Sequence, residues 1–199
     1  MRVVLVDAGG ANLGSVRYAL QRLGIEPALA ADPAAILGAD RVILPGVSTA
    51  ATVMGRLREL GLADTLRSLR QPLLGVCVGM QLLFEHSEED DTPCLGLLPG
   101  RVRRLPAGAG VRVPHMGWNR LQLRRSDPLL AGFDGDEHAY FVHSYAADVT
   151  ADCIASACHG RDFAAVVRRG NVMGAQFHPE RSAAAGARLL DNFLTMDPA

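Results

Sequence analysis

Leu73-Leu74-Gly75-Val76-Cys77-Val78-Gly79-Met80-Gln81 reads as an apolar strand, a Gly-x-Cys-x-Gly turn and the opening of a helix. A strand that enters a helix through one tight turn has the layout of a nucleophile elbow, here with Cys in place of Ser. The residue types follow from that geometry. The turn pushes its central residue out of the sheet in a strained backbone conformation. Its flanks crowd neighbouring backbone, so Gly75 and Gly79 have to be small. The helix after Cys77 aims unpaired N–H groups and a positive dipole end at the sulfur, which favours thiolate. The N–H of Val78 is placed to become half of an oxyanion hole. Taken alone, the motif fits a buried structural cysteine between two packing glycines equally well.

Upstream of this turn, strand and helix signals alternate. Residues 2–7 form a short apolar run, and 12–23 carry apolar residues at Leu13, Val16, Leu20 and Leu23, a helical spacing closed by Gly24. Residues 28–30 and 41–44 are further strands, the latter stopped by Pro45-Gly46. Val53, Met54, Leu57 and Leu60 mark another helical face, 73–76 a fourth strand and 79–86 a helix. Such alternation predicts a parallel sheet covered by helices on both faces. Downstream, the apolar runs are short and separated by turn residues: Val111 and Val113, Leu121 and Leu123, 140–142, 164–167 and 172–177. They predict strands, some antiparallel. Residues 182–194 close as a helix with Ser182 as N-cap and Leu189, Leu190, Phe193 and Leu194 on its buried side. The expectation is one α/β domain over 1–199, with a mixed, mostly parallel central sheet.

A chain of 199 residues is long enough for one well-buried domain and short for two. Its net charge of -1 gives no electrostatic reason to expect nucleic acid or a membrane surface. No apolar run approaches the roughly 20 residues of a membrane span. The start, apolar from Val3 to Val6 and polar at Asp7, reads as a strand rather than a signal peptide. Cys77, Cys94, Cys153 and Cys158 are dispersed. The gap from Cys153 to Cys158, with His159 beside it, does not match a zinc knuckle. The expectation is idle thiols in a reducing cytoplasm for all but Cys77, and no metal.

A thiol nucleophile needs a base, and the base needs an orienting group. Among His86, His115, His138, His143, His159 and His178, the last follows an apolar strand and precedes Pro179-Glu180. Active sites of parallel sheets collect at the carboxyl ends of strands, which puts His178 on the same edge as Cys77. Glu180 is placed to accept from the far ring nitrogen. Pro45-Gly46-Val47-Ser48 ends another strand, and Gly46 permits a backbone flip that would swing the Val47 N–H toward an oxyanion. The stretch from Asp7 to Gly14, with Asp32 beyond, resembles a dinucleotide fingerprint but misses the glycine spacing, so a structural or partner-facing loop is expected.

Pro45-Gly46-Val47, Gly75-Val76-Cys77-Val78-Gly79-Met80-Gln81 and His178-Pro179-Glu180, in that order, resemble class I, triad-type glutamine amidotransferases. Pro114-His115-Met116-Gly117-Trp118-Asn119, Tyr140-Phe141-Val142-His143-Ser144-Tyr145 and Gln176 through Ser182 narrow the likeness to the glutaminase-subunit branch of the imidazole glycerol phosphate synthases. The resemblance covers nearly the whole chain. It implies hydrolysis of L-glutamine to glutamate and ammonia through a Cys77 thioester, without a cofactor. The ammonia would be channelled in a heterodimer to a (β/α)8-barrel synthase of histidine biosynthesis. It also implies that Gln81, Glu89, Ser144 and Tyr145 bind glutamine, and that Asn12, Trp118 and Arg181 face the partner. Another cysteine hydrolase with the same elbow, and a non-catalytic docking subunit, are the alternatives. Ser48 stands where the family usually has Gly, and strain is expected there if the position needs positive φ. Val78 stands where Leu is usual; only its N–H is functional, so little effect is expected.

Overall fold

The computed structural model describes residues 1–9, 12–108 and 110–197. In the first half, β1 (Val3–Val6), α1 (Leu13–Arg22), β2 (Ala28–Ala30), α2 (Pro33–Leu37), β3 (Arg41–Gly46), α3 (Ala50–Glu59), α4 (Leu62–Ser68), β4 (Leu73–Cys77) and α5 (Val78–Gln81) alternate strand with helix, with α3 and α4 together between β3 and β4. The second half runs through β5 (His86–Ser87), β6 (Thr92–Pro93), β7 (Arg101–Arg104), β8 (His115–Arg120), β9 (Gln122–Leu123), β10 (His138–His143), β11 (Tyr145–Ala147), β12 (Cys153–Cys158), β13 (Asp162–Arg169) and β14 (Val172–Ala175) to α6 (Ala183–Thr195).

The central sheet has the order β2-β1-β3-β4-β14-β13-β12-β9. It is parallel from β2 to β14 and antiparallel from β14 to β9. Every residue of β1, β3, β4 and β14 is buried. That accounts for their continuous apolar runs, because a parallel sheet covered on both faces has no polar side. Two small sheets, β10-β8 and β11-β7-β5-β6, complete the architecture. Among the described residues no helix is long and apolar enough to cross a membrane.

Several local expectations are corrected. β3 continues through Pro45-Gly46 instead of stopping before them. Its pairing with β1 spans only Arg41 to Ile43 on the β3 side, so Pro45 lies beyond the neighbour that would have needed its missing N–H. The helix expected over 79–86 is a single turn ending at Gln81. The Leu82, Leu83 and Phe84 carbonyls accept instead from N–H groups of residues 95–98. Val111 and Val113 form no strand; Val111 makes an isolated bridge to Gly108. Ser182 stands at the N-terminus of α6 but does not cap it. Its hydroxyl donates to the His178 carbonyl at 2.7 Å and accepts from the Tyr140 N–H at 2.9 Å. It thus ties the turn after β14 to β10. The helices α2 and α4 and the strands β5, β6, β7, β8, β11 and β12 have no counterpart in the sequence reading. Cys153 is buried and Cys158 exposed, at opposite ends of β12, and all four thiols are free.

Candidate active site

Sheet register brings the expected residues together. Gly46 pairs with Cys77 across β3 and β4, and Ala175 pairs with Val76 across β14 and β4. The Pro-Gly turn, the thiol and the segment leading to His178 therefore emerge at one edge of the sheet, at parallel strand ends. Between them opens a cleft of about 450 Å³. Cys77, Val78, Val47, Gln81, Glu89, Ser144, Tyr145, His178, Asn12 and Arg181 all contribute to its wall, as does Ser48. Glu180 lies behind His178, and Trp118 stands apart on β8, half exposed and edge-on to Tyr140 across the strand pair.

The elbow is as tight as its glycines require. Cys77 has φ 55° and ψ −114°, a conformation costly for a residue with a side chain. A Cβ on Gly79 would lie 1.8 Å from the Leu44 carbonyl oxygen, and one on Gly75 would lie 2.5 Å from the Gly79 carbonyl oxygen. Neither distance leaves room for a carbon, so β3, β4 and α5 approach this closely only with glycine at both positions. Val78 opens α5, where its N–H has no partner within the helix, and the residue lines the cleft. Ser48 is not among the described residues with positive φ, so in this conformation the Gly-to-Ser departure carries no backbone strain.

His178 is 6% exposed, and its Nδ1 is 2.9 Å from Glu180 Oε1. A carboxylate oxygen accepts, so Nδ1 carries the proton and Nε2 is left for Cys77. Burial opposes a charged ring. The hydrogen bonds and charges of Cys77 and Glu180 outweigh it and raise His178 to about 10. Burial likewise opposes a charged Glu180, but hydrogen bonds from His178 and Asn12 hold it below the usual carboxylate range. Asn12 was expected only at a partner surface. It stands at φ 85° ahead of α1 and donates from Nδ2 to Glu180 Oε1 at 2.6 Å. Gly10 and Ala11, in the same first loop, lie outside the described residues; within it the Asp7 carboxylate accepts from the Gly9 N–H, an internal turn.

Glu89 accepts from the Ala50 N–H at 2.7 Å, at the N-terminus of α3, and burial raises its carboxyl above the ordinary range. Gln81 donates to the Tyr145 carbonyl at 2.8 Å and to Gln176 Oε1 at 3.0 Å. Both its N–H groups are used inside the fold, so it turns its carbonyl oxygen to the cleft. The sequence reading missed Val142, Gln176, His115 and His143. The Val142 carbonyl and Gln176 Nε2 each lie 3.9 Å from Cys77 Sγ. All four lie within the motifs that carry the family resemblance, but no role was read for them, because the two histidines face each other only across a strand pair that spacing alone does not reveal.

His115 and His143 are buried and bonded ring to ring at 3.0 Å. Burial pushes His143 down to about 3 and His115 down to about 4, from an ordinary 6.5. Between those values and 6.5 the unfolded chain binds more protons than the folded one, so stability rises with pH across that window. It is full above 6.5 and is lost as pH falls toward 4. Urea unfolding at pH 6.5 and 4.5 is expected to differ by about 4 kcal/mol, about half from each ring. His115→Phe should flatten part of that slope; an unchanged slope would assign the titration to other groups.

The Glutamine amidotransferase class-I family matches residues 4–196, and the chain belongs to that family. It is 61% identical, over 99% of its own length and 98% of the relative's, to the imidazole glycerol phosphate synthase subunit HisH of Xylella fastidiosa (strain Temecula1). It is 62% identical to the subunit of the same name from Xanthomonas oryzae pv. oryzae, over 98% and 97% of the two chains. Among solved structures, a glutamine amidotransferase superposes with a TM-score of 0.75 at 26% identity, covering 96% of each chain. PurLQS from Thermotoga maritima shares the fold at a TM-score of 0.71 and 20% identity, covering 97% of each chain.

Proposed function

We propose that this chain is the glutaminase subunit of an imidazole glycerol phosphate synthase, hydrolysing L-glutamine and passing the ammonia to a (β/α)8-barrel synthase subunit in histidine biosynthesis. The observation that carries the reading is the line Cys77, His178, Glu180 at the floor of a cleft, in a chain whose full-length relatives are HisH subunits. His178 takes the Cys77 proton, and the thiolate attacks the side-chain amide carbonyl of glutamine. The N–H groups of Val78 and, after a flip of the Gly46–Val47 peptide, Val47 receive the developing oxyanion. The His178 imidazolium, oriented by Glu180, protonates the departing ammonia. The neutral ring then takes a proton from water, which cleaves the γ-glutamyl thioester, and glutamate leaves with the thiol restored.

Glu89 and the Gln81 carbonyl oxygen offer acceptors for the substrate's ammonium, and the 144–145 segment faces its carboxylate. Asn12, Trp118 and Arg181 form the docking side. Trp118 supplies a half-exposed aromatic surface of the kind that anchors interfaces.

Glutamate release by the purified chain, with and without the barrel synthase and its nucleotide ligand, tests this reading. Stimulation of about a hundredfold or more is expected, because the oxyanion donor at Val47 waits on the loop. Equal turnover in all conditions would remove the coupling, and no glutamate in any would remove the activity.

A further inference from the structure

Behind Cys77, two side-chain amides and two imidazoles lie end to end, and one carbonyl fixes the direction of them all. A backbone carbonyl only accepts hydrogen bonds. The Tyr145 carbonyl oxygen lies 2.8 Å from Gln81 Nε2 and 2.8 Å from His143 Nδ1. Gln81 therefore turns its NH2 end inward and His143 carries its proton on Nδ1. The second N–H of Gln81 reaches Gln176 Oε1 at 3.0 Å, which turns Gln176 Nε2 toward Cys77 Sγ, 3.9 Å away. Flipping Gln81 would set its oxygen against two other acceptors, and flipping Gln176 would set nitrogen against nitrogen.

The same logic runs through the imidazoles. His143 Nε2 is left as an acceptor, so His115 donates its Nδ1–H across 3.0 Å, and His115 Nε2 accepts from Asn119 Nδ2 at 3.3 Å. The downward push that burial exerts on both rings agrees with this neutral arrangement. A continuous chain of donors thus enters the core at Asn119 and meets, at the Tyr145 carbonyl, a second one that ends on the nucleophile's sulfur. Gln176 has no exposed surface, and no step of the triad chemistry uses it.

We propose that Gln176 is a sulfur-facing donor whose Nε2–H stabilises negative charge on Cys77 Sγ after the thiol proton has passed to His178 Nε2, with its direction set by Gln81 and the Tyr145 carbonyl. This rests on the reading of Cys77 as the nucleophile. No covalent bond other than the S–H changes in the step: the proton moves to the imidazole, and the sulfur keeps the electron pair. An N–H aimed at an anion in a buried site strengthens as the charge forms. It therefore lowers the energy of the ion pair more than that of the neutral pair.

The test is alkylation of Cys77 by iodoacetamide in the full chain at pH 7, read on the Cys77 peptide by mass spectrometry. Gln176→Met keeps length and removes the donor. The rate is expected to fall about tenfold, with kcat for glutamate release in the presence of the barrel synthase falling in parallel and KM for glutamine within about twofold. A reactive wild-type Cys77 with an equally reactive Gln176→Met would overturn the proposal and leave the nucleophile reading intact. An inert wild-type Cys77 would overturn the nucleophile reading itself. Side-chain nitrogen NMR of the wild-type histidines tests the direction of the chain without any substitution. Both His115 and His143 are expected neutral with the proton on Nδ1, and a proton on Nε2 of His143 would contradict the reading of the Tyr145 carbonyl as the acceptor that sets both branches.

Discussion

Cys77→Ala is expected to reduce glutamate release by about 10⁴-fold or more in the presence of the barrel synthase, with KM for glutamine changed only a few-fold. The cleft wall that holds the substrate is supplied by other residues, so binding survives while the attacking atom is gone. A companion variant separates chemistry from backbone strain. At φ 55° and ψ −114° the residue at 77 adopts a conformation that glycine reaches freely and a side chain does not. Cys77→Gly is therefore expected to be as inactive as Cys77→Ala but more stable than wild type by about 1–2 kcal/mol in urea unfolding. A glycine variant no more stable than wild type would mean that the elbow stores no strain.

Gly79→Ala is the second large effect, and it acts through packing. Its Cβ would sit 1.8 Å from the Leu44 carbonyl oxygen, an atom of the backbone of β3 that cannot rotate away. Either β3 and α5 separate or the elbow unwinds. The same β3 carries Gly46, which pairs with Cys77, so separation also displaces the Val47 donor from the thiol. The expected outcome is a loss of at least about 3 kcal/mol in stability together with loss of glutamate release. A variant that melts near the wild-type temperature and retains activity would show that the close approach of β3 and α5 is dispensable.

The parallel half of the fold was legible because its strands are buried on both faces and so read as unbroken apolar runs between helical spacings. The elbow was legible because a strand, two glycines and a thiol in nine residues leave few conformations. The antiparallel half was harder. β12 is buried yet reads Cys-Ile-Ala-Ser-Ala-Cys, small residues with weak strand signal, and β7 is a run of arginines around Val102 whose strand state depends on partners far along the chain. His178 could be named from local sequence, and Gln81 only through the family resemblance. The bond from Asn12 to Glu180 spans 168 positions, and that from Gln176 to Cys77 spans 99, so no local pattern announces either. Ser182 misled for a related reason: it has the chemistry of a helix cap and occupies the right position, but tertiary structure claimed its hydroxyl for the turn that holds His178.

The central claim is that the Cys77 sulfur forms a bond to the glutamine side chain. It is met most directly by mixing the chain, its barrel synthase and glutamine, quenching in acid within the first turnovers, and weighing the Cys77 peptide. The account predicts a γ-glutamyl adduct on Cys77 that vanishes on treatment with hydroxylamine and forms far more slowly in His178→Asn, where the Cys77 proton loses its acceptor and the departing ammonia its donor. Glutamate formed at the full rate by the wild type with no adduct on Cys77 at any quench time would contradict it.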